Sequence, residues 1–182
     1  MFYEQSGGGV TFSGGEPLMQ PKFLKSLLMR CKELDIHTAV DTSGYSSKEA
    51  FESIIPYTDL FLFDLKIMDE AEHKKYTGVS NKIILRNLTY LSESAKKIRI
   101  RIPLIPDITD TKSNLRQIAK FLSELKNISN VDLLPYNELS EGKNKKFSSK
   151  VKLENLKMQS DESLDKIKKT FEPLGVEITI RG

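Results

Sequence analysis

The 182 residues, 38% apolar and 29% charged, suffice for one soluble domain with a real core. A net charge of +3, with Lys and Arg dispersed among Asp and Glu, provides no basic stripe for nucleic acid or a membrane surface. One cysteine, Cys31, excludes an internal disulfide and any multi-thiolate metal centre; with neither a signal peptide nor a spanning apolar run, a cytoplasmic setting is the default.

In chain order, Val10 to Ser13 reads as a buried strand hemmed by glycines. Its exit carries the first chemistry. Gly14 and Gly15 take Cβ atoms out of the turn, so backbone carbonyls can lie against a bound group, and Glu16 adds a carboxylate. Carbonyls with one carboxylate suit a ligand ammonium; a phosphate would want N–H groups and a basic residue. The same residues also suit a tight turn with a solvated Glu. Pro21 opens a helix whose stripe is Phe23, Leu24, Leu27, Leu28, Cys31 and Leu34, which puts Cys31 toward the core as a packing residue. His37 to Val40 is the second strand, ending in Asp41-Thr42-Ser43-Gly44. Ser46 and Glu49 have capping-box spacing for a helix that turns Ala50, Phe51, Ile54 and Ile55 inward.

Leu60 to Phe63 is a continuous apolar strand of the parallel-sheet kind, followed by Asp64-Leu65-Lys66. Asp69 starts a short helix that Gly78 ends, and a longer helix from about Asn81 carries Ile84, Leu85, Leu88 and Leu91. Ile98 to Ile102 alternates with Arg99 and Arg101 as a fourth strand that Pro103 and Pro106 close. Leu115, Ile118, Ala119, Leu122 and Leu125 mark the next helix, and Val131 to Leu134 the fifth strand, leading to Pro135-Tyr136-Asn137. Glu138 to Gln159 reads as a long lysine-rich loop, Ser160 to Phe171 as a helix, and Val176 to Ile180 as a final strand. The alternation predicts an α/β fold with a parallel sheet, either open or part of a barrel, and a single domain over residues 1–182.

Parallel α/β folds place their ligands at the C-terminal strand ends. Here those ends carry Glu16, Asp41 with Thr42, Asp64 with Lys66, Arg101 and Asn137. Charges are rarely set at buried sheet ends without partners or a ligand. Position by position, turn capping by Asp41 and Thr42 and a structural ion pair for Lys66 remain the competing readings. His37 and His73 lack metal-ligand spacing.

The run Gly9-Val10-Thr11-Phe12-Ser13-Gly14-Gly15-Glu16-Pro17, with Asp41-Thr42-Ser43-Gly44, Asp64-Leu65-Lys66, Gly78-Val79-Ser80-Asn81 and Leu133-Leu134-Pro135-Tyr136, resembles the glycyl-radical-enzyme activating enzymes of the radical S-adenosylmethionine type, such as pyruvate formate-lyase activating enzyme. That resemblance implies a partial (β/α) barrel, here with its first strand missing. It implies that Gly14, Gly15 and Glu16 hold the methionyl ammonium of S-adenosylmethionine. Lys66 and Arg101 would face the carboxylate and ribose. Asn137 would stand where many relatives have a His beside the nucleoside. Asp41, Thr42, Asp64 and the Leu62 carbonyl would match a monovalent cation site. The implied reaction is anaerobic: a [4Fe-4S] cluster reduces S-adenosylmethionine, and the resulting 5'-deoxyadenosyl radical takes a hydrogen atom from a glycine of a partner glycyl-radical enzyme, with an electron donor protein upstream. The family's Cys-x3-Cys-x2-Cys loop has no counterpart in the sequence, so this chain is expected to be the C-terminal part of a longer protein, unable to bind the cluster and holding no catalytic residue itself. Another radical S-adenosylmethionine enzyme with a small-molecule substrate, a non-catalytic fragment that binds S-adenosylmethionine, and an unrelated (β/α) metabolic enzyme are the alternatives. Without a preceding strand the first strand becomes an exposed edge, from which self-association is expected.

Overall fold

The structure, a computed structural model, describes residues 8–95, 97–136 and 158–180. In chain order the elements are β1 (Gly9–Phe12), α1 (Pro21–Glu33), β2 (His37–Thr42), α2 (Lys48–Ile54), β3 (Leu60–Asp64), α3 (Glu70–Thr77), α4 (Lys82–Ser94), β4 (Ile98–Leu104), α5 (Lys112–Ser123), β5 (Ile128–Pro135), α6 (Asp161–Phe171) and β6 (Glu177–Ile180). The six strands form one all-parallel sheet in the order β1-β2-β3-β4-β5-β6. Each strand lies beside its sequence neighbour, as in (β/α) barrels, and the order never reverses as it does in doubly wound sheets. The expected α/β class is therefore observed. Among the described residues no helix is long and apolar enough to cross a membrane.

Two compact units make up the chain. The first contains the described parts of Met1–Asp64, Ile83–Arg99 and Leu125–Ser129. Its core is aromatic: Phe51, Phe61 and Phe63 are fully buried, and the Phe51 and Phe61 rings lie 6.3 Å apart at 49°. Each such side chain contributes about 2–3 kcal/mol of burial. α1 packs on β2 and α2 through Leu24 and Leu28, which are buried one turn apart. Phe23, expected in the same stripe, is 61% exposed because it lies about 100° round the helix from Leu24. Cys31 is half-buried at the stripe's margin.

At the N-terminal end of β2, Asp59 ties this unit together. Its carboxylate accepts from the Lys32 ammonium on α1 at 2.5 Å, and from the Thr38 N–H at 2.9 Å and hydroxyl at 3.1 Å. Burial pushes the Asp59 carboxyl up, but these donors outweigh it and hold it at about 2, below its ordinary 3.8.

The second unit contains the described parts of Leu65–Lys82, Ile100–Glu124 and Asn130–Gly182. α6 packs on α5 and β6, with Leu164, Ile167 and Phe171 turned inward. α3 starts where expected, Asp69 accepting from the Glu72 N–H at 2.8 Å, and ends at Gly78. β4, whose Ile98 and Arg99 count with the first unit and the rest with the second, does not stop before Pro103 but runs to Leu104, burying Ile98, Ile100, Ile102 and Leu104 on one face and leaving Arg99 and Arg101 half-buried on the other.

Two further expectations shift. β1, read as buried, stands at one end of the described sheet with Thr11 exposed and Val10 and Phe12 half-buried. α2 is capped by Ser47, whose Oγ accepts from the Ala50 N–H at 3.2 Å, one residue after the expected cap; Ser46 instead donates to the Leu18 carbonyl at 3.2 Å. Of the long loop expected over Glu138 to Gln159, all but the last two residues lie outside the described residues.

Candidate functional site

The turn after β1 and the exit of β2 meet at Glu16. β1 ends at Phe12, Gly14 turns the chain with φ 135°, and Glu16 begins a 3-10 turn, Pro17–Met19. One Glu16 oxygen, Oε1, accepts from the Thr42 hydroxyl at 2.7 Å and from the Leu18 N–H at 3.3 Å. The other, Oε2, accepts from the Ser43 N–H at 2.9 Å and the Ser43 hydroxyl at 2.6 Å. An ionised carboxylate has about four lone-pair sites. All four are engaged, so Glu16 fixes the glycine turn against the β2 exit. Beside it, the Ser13 hydroxyl donates to Asp41 Oδ2 at 3.0 Å.

Register sorts the acidic residues. Asp41 is the partner of Leu62, and Thr42 of Phe63. Partners in a parallel pair share a face and neighbours along a strand alternate, so Asp41, Leu62 and Asp64 belong to one face and Thr42 to the other. Thr42 is thus directed to Glu16, while Asp41 and Asp64 share the opposite face at the C-terminal ends of β2 and β3. Among the described residues no group of three or more His, Cys, Asp or Glu could hold a metal ion.

The loop after β2 is held tightly. The Gly44 N–H donates to Thr42 Oγ1 at 3.0 Å. Gly44 has φ +77°, and a Cβ there would stand 2.2 Å from Phe63 Cζ, so no other residue fits. Asn87 on α4 donates from Nδ2 to the Gly44 carbonyl at 2.9 Å and the Ser46 carbonyl at 2.8 Å.

Lys66 and Arg101 belong to the second unit. The Leu65 N–H donates to the Arg101 carbonyl at 2.9 Å, which brings the Lys66 segment beside the middle of β4. Asn114 at the start of α5 donates from Nδ2 to the Lys66 and Thr109 carbonyls, each at 2.8 Å, and accepts from the Met68 N–H at 2.9 Å. Asn81 donates to the Ile67 and Met68 carbonyls at 3.0 and 2.7 Å. His73 is buried on α3: desolvation lowers its pKa, the Val79 carbonyl that its Nδ1–H reaches at 2.8 Å raises it, and the Lys66 charge lowers it again. Asn137 lies outside the described residues.

Sequence reasoning missed Ser13, Ser43, Asn81, Asn87 and Asn114 as loop-holding residues. For Asn87 a signal existed: an amide inside the apolar stripe Ile84, Leu88 and Leu91. For the serines none did, since Ser in a turn is commonplace.

Residues 2–122 match the family model described as Radical SAM superfamily. The chain is 41% identical over 169 residues to the choline trimethylamine-lyase activating enzyme of Oleidesulfovibrio alaskensis, covering 91% of this chain and 54% of that protein. It is 38% identical over 173 residues to the pyruvate formate-lyase-activating enzyme of Clostridium pasteurianum, covering 95% of this chain and 72% of that one. The crystal structure of a domain of pyruvate-formate lyase-activating enzyme from Bacteroides vulgatus superposes with a TM-score of 0.81 at 34% identity, over 96% of this chain and 99% of that domain. The chain thus spans about half the length of the first relative.

Proposed function

We propose, since the chain belongs to the radical SAM superfamily and within it to the glycyl-radical-enzyme activating enzymes, that it is the cofactor-orienting part of an activase that generates a glycyl radical on a partner enzyme. The observation that carries this reading is the junction at Glu16, where two motifs 26 residues apart become one surface at the C-terminal strand ends. The cofactor implied by the family is S-adenosylmethionine, and the local chemistry fits it. Nothing lies within 4 Å of where a Cβ would stand at Gly14 or Gly15, so a ligand can reach the backbone there. An ammonium would take carbonyls of this turn and the negative charge of Glu16 and Asp41. A [4Fe-4S] cluster does not fit: the sequence has one cysteine, Cys31, half-buried on α1. Cluster ligands would come from elsewhere in a longer parent.

When bound, S-adenosylmethionine supplies the hydrogen-abstracting chemistry. The residues of this chain orient it. The Gly14 and Gly15 backbone receives the ammonium beside the charge of Glu16; Lys66 and Arg101 answer the carboxylate and ribose; Asn137 serves the nucleoside. Asp41, Asp64 and the Leu62 carbonyl form a monovalent cation site without Thr42, which alternates to the other face and donates to Glu16. The relatives act with choline trimethylamine-lyase and pyruvate formate-lyase by name, and an oxidoreductase of the pyruvate formate-lyase-activating type, cytoplasmic and supplied by an electron donor protein, is the specific form proposed. Both units belong to one domain in this reading. The edge of β1 offers a surface for self-association.

The test is anaerobic mixing of the cluster-loaded parent, S-adenosylmethionine and a reductant with candidate glycyl-radical enzymes, read by electron paramagnetic resonance. A doublet that moves when the partner glycine is labelled with carbon-13 supports the proposal. Cofactor cleavage without a protein radical on any candidate would point instead to a small-molecule substrate.

A further inference from the structure

We propose that Asn87 is a positioning residue that sets the conformation of the β2-exit loop and, through it, the geometry of the Glu16 junction. Its side chain is 1% exposed and sits in the stripe of α4 between Ile84, Leu88 and Leu91, where packing alone would be served by a Leu. The amide is instead aimed at two carbonyls of one loop, Gly44 at 2.9 Å and Ser46 at 2.8 Å. Carbonyl oxygens accept only, so the assignment of Nδ2 to these contacts is fixed by chemistry. The other end of the amide, Oδ1, is buried with no hydrogen-bond partner among the described residues. A buried acceptor left unsatisfied costs stability. The residue that would pack best is therefore absent, and what the Asn provides in exchange is the hold on the loop.

That hold propagates. The first tethered carbonyl belongs to Gly44, whose left-handed backbone lies against the Phe63 ring and whose N–H bonds Thr42 Oγ1. Thr42 Oγ1 in turn donates to Glu16, and Ser43 supplies two more donors to the same carboxylate. Ser46 reaches back to the Leu18 carbonyl, one residue beyond Pro17. Release of the two carbonyls from α4 frees the loop that presents three of the four donors on Glu16. Asn87 touches no ligand and acts through this loop, and its effect on cofactor affinity rests on the S-adenosylmethionine reading given above.

The test uses Asn87→Leu in the intact chain, with Asn87→Asp as a second variant of nearly the same outline that replaces the donors with acceptors. Amide hydrogen exchange is followed at Ser43, Gly44 and Ser46, with the β2 and β3 amides as internal reference, and S-adenosylmethionine affinity by titration calorimetry. Asn87→Leu takes a donor from two carbonyls and is expected to lower global stability only modestly, while the three loop amides exchange about tenfold faster or more relative to the β2 and β3 reference and the affinity falls about tenfold. A purely structural Asn would shift loop and reference amides together and leave the affinity unchanged. Loop exchange and affinity both unchanged in Asn87→Leu would overturn the proposal, as would loop and reference amides rising together in both variants. Loop exchange that quickens while a measurable wild-type affinity stays constant would overturn the link to the site. A wild-type chain that binds no S-adenosylmethionine would fail the cofactor reading alone, and the exchange data would still decide whether Asn87 governs the loop.

Discussion

The exits of β2 and β3 solve the same problem with different chemistry. After β2, in the first unit, the chain is fixed by a carboxylate from one side, Glu16, and by an amide from the other, Asn87. After β3, in the second unit, residues 66–68 are fixed by two amides, Asn81 and Asn114, and the clamp brings no charge of its own. An anionic clamp builds negative potential into the exit proposed for an ammonium, whereas a neutral clamp adds no charge to the exit that carries Asp64 and Lys66.

The comparison can be broken by substitution. Glu16→Ala removes the shared acceptor of four donors, and S-adenosylmethionine affinity should fall about 1,000-fold, roughly 4 kcal/mol; in the cluster-loaded parent, cofactor cleavage should be lost with it. Gly44→Ala forces a Cβ onto Phe63 at a positive φ and should destabilise the first unit by about 3 kcal/mol in urea denaturation. Asn114→Ala strands a buried N–H and two carbonyls and should cost about 2 kcal/mol, with faster amide exchange at Met68 and none at Ser43. Faster exchange at both exits would deny that the clamps are independent.

The smallest effect is in the frame that supports the first exit from the opposite strand end. Asp59 has a folded pKa depressed to about 2, so its contribution is fully present above the unfolded value near 4 and is lost as pH falls toward 2. Asp59→Asn should cost about 1 kcal/mol at pH 7 and flatten the acid limb of the stability profile measured by urea denaturation. His73, with its pKa lowered by burial, gives the same sign over a higher window: the unfolded chain takes up a proton first, so stability declines as pH falls below about 6.5. An acid limb unchanged in Asp59→Asn would remove this role.

Much of the frame was legible. Strand and helix order follow from alternating β-branched and 3.6-period runs, and the Asp69 cap and Gly78 stop follow from spacing. The α2 cap slipped by one residue because Ser46 and Ser47 are locally equivalent and only the Leu18 carbonyl, 28 positions away, selects between them. Phe23 was misplaced because a stripe defined by period alone does not say which edge meets a neighbour. At the site, the residue types at the strand exits were readable, but the engagement of Glu16 by Thr42 and Ser43 was not, since it depends on the register of β1 on β2. Asn87 needed only to be taken as an exception within its stripe.

The most direct measurement is titration calorimetry of S-adenosylmethionine into the chain, beside Glu16→Ala. Saturable binding by the wild type that Glu16→Ala loses is the predicted result. Binding of equal strength by both, or by neither, would contradict the assignment of the cofactor's ammonium to the Glu16 junction.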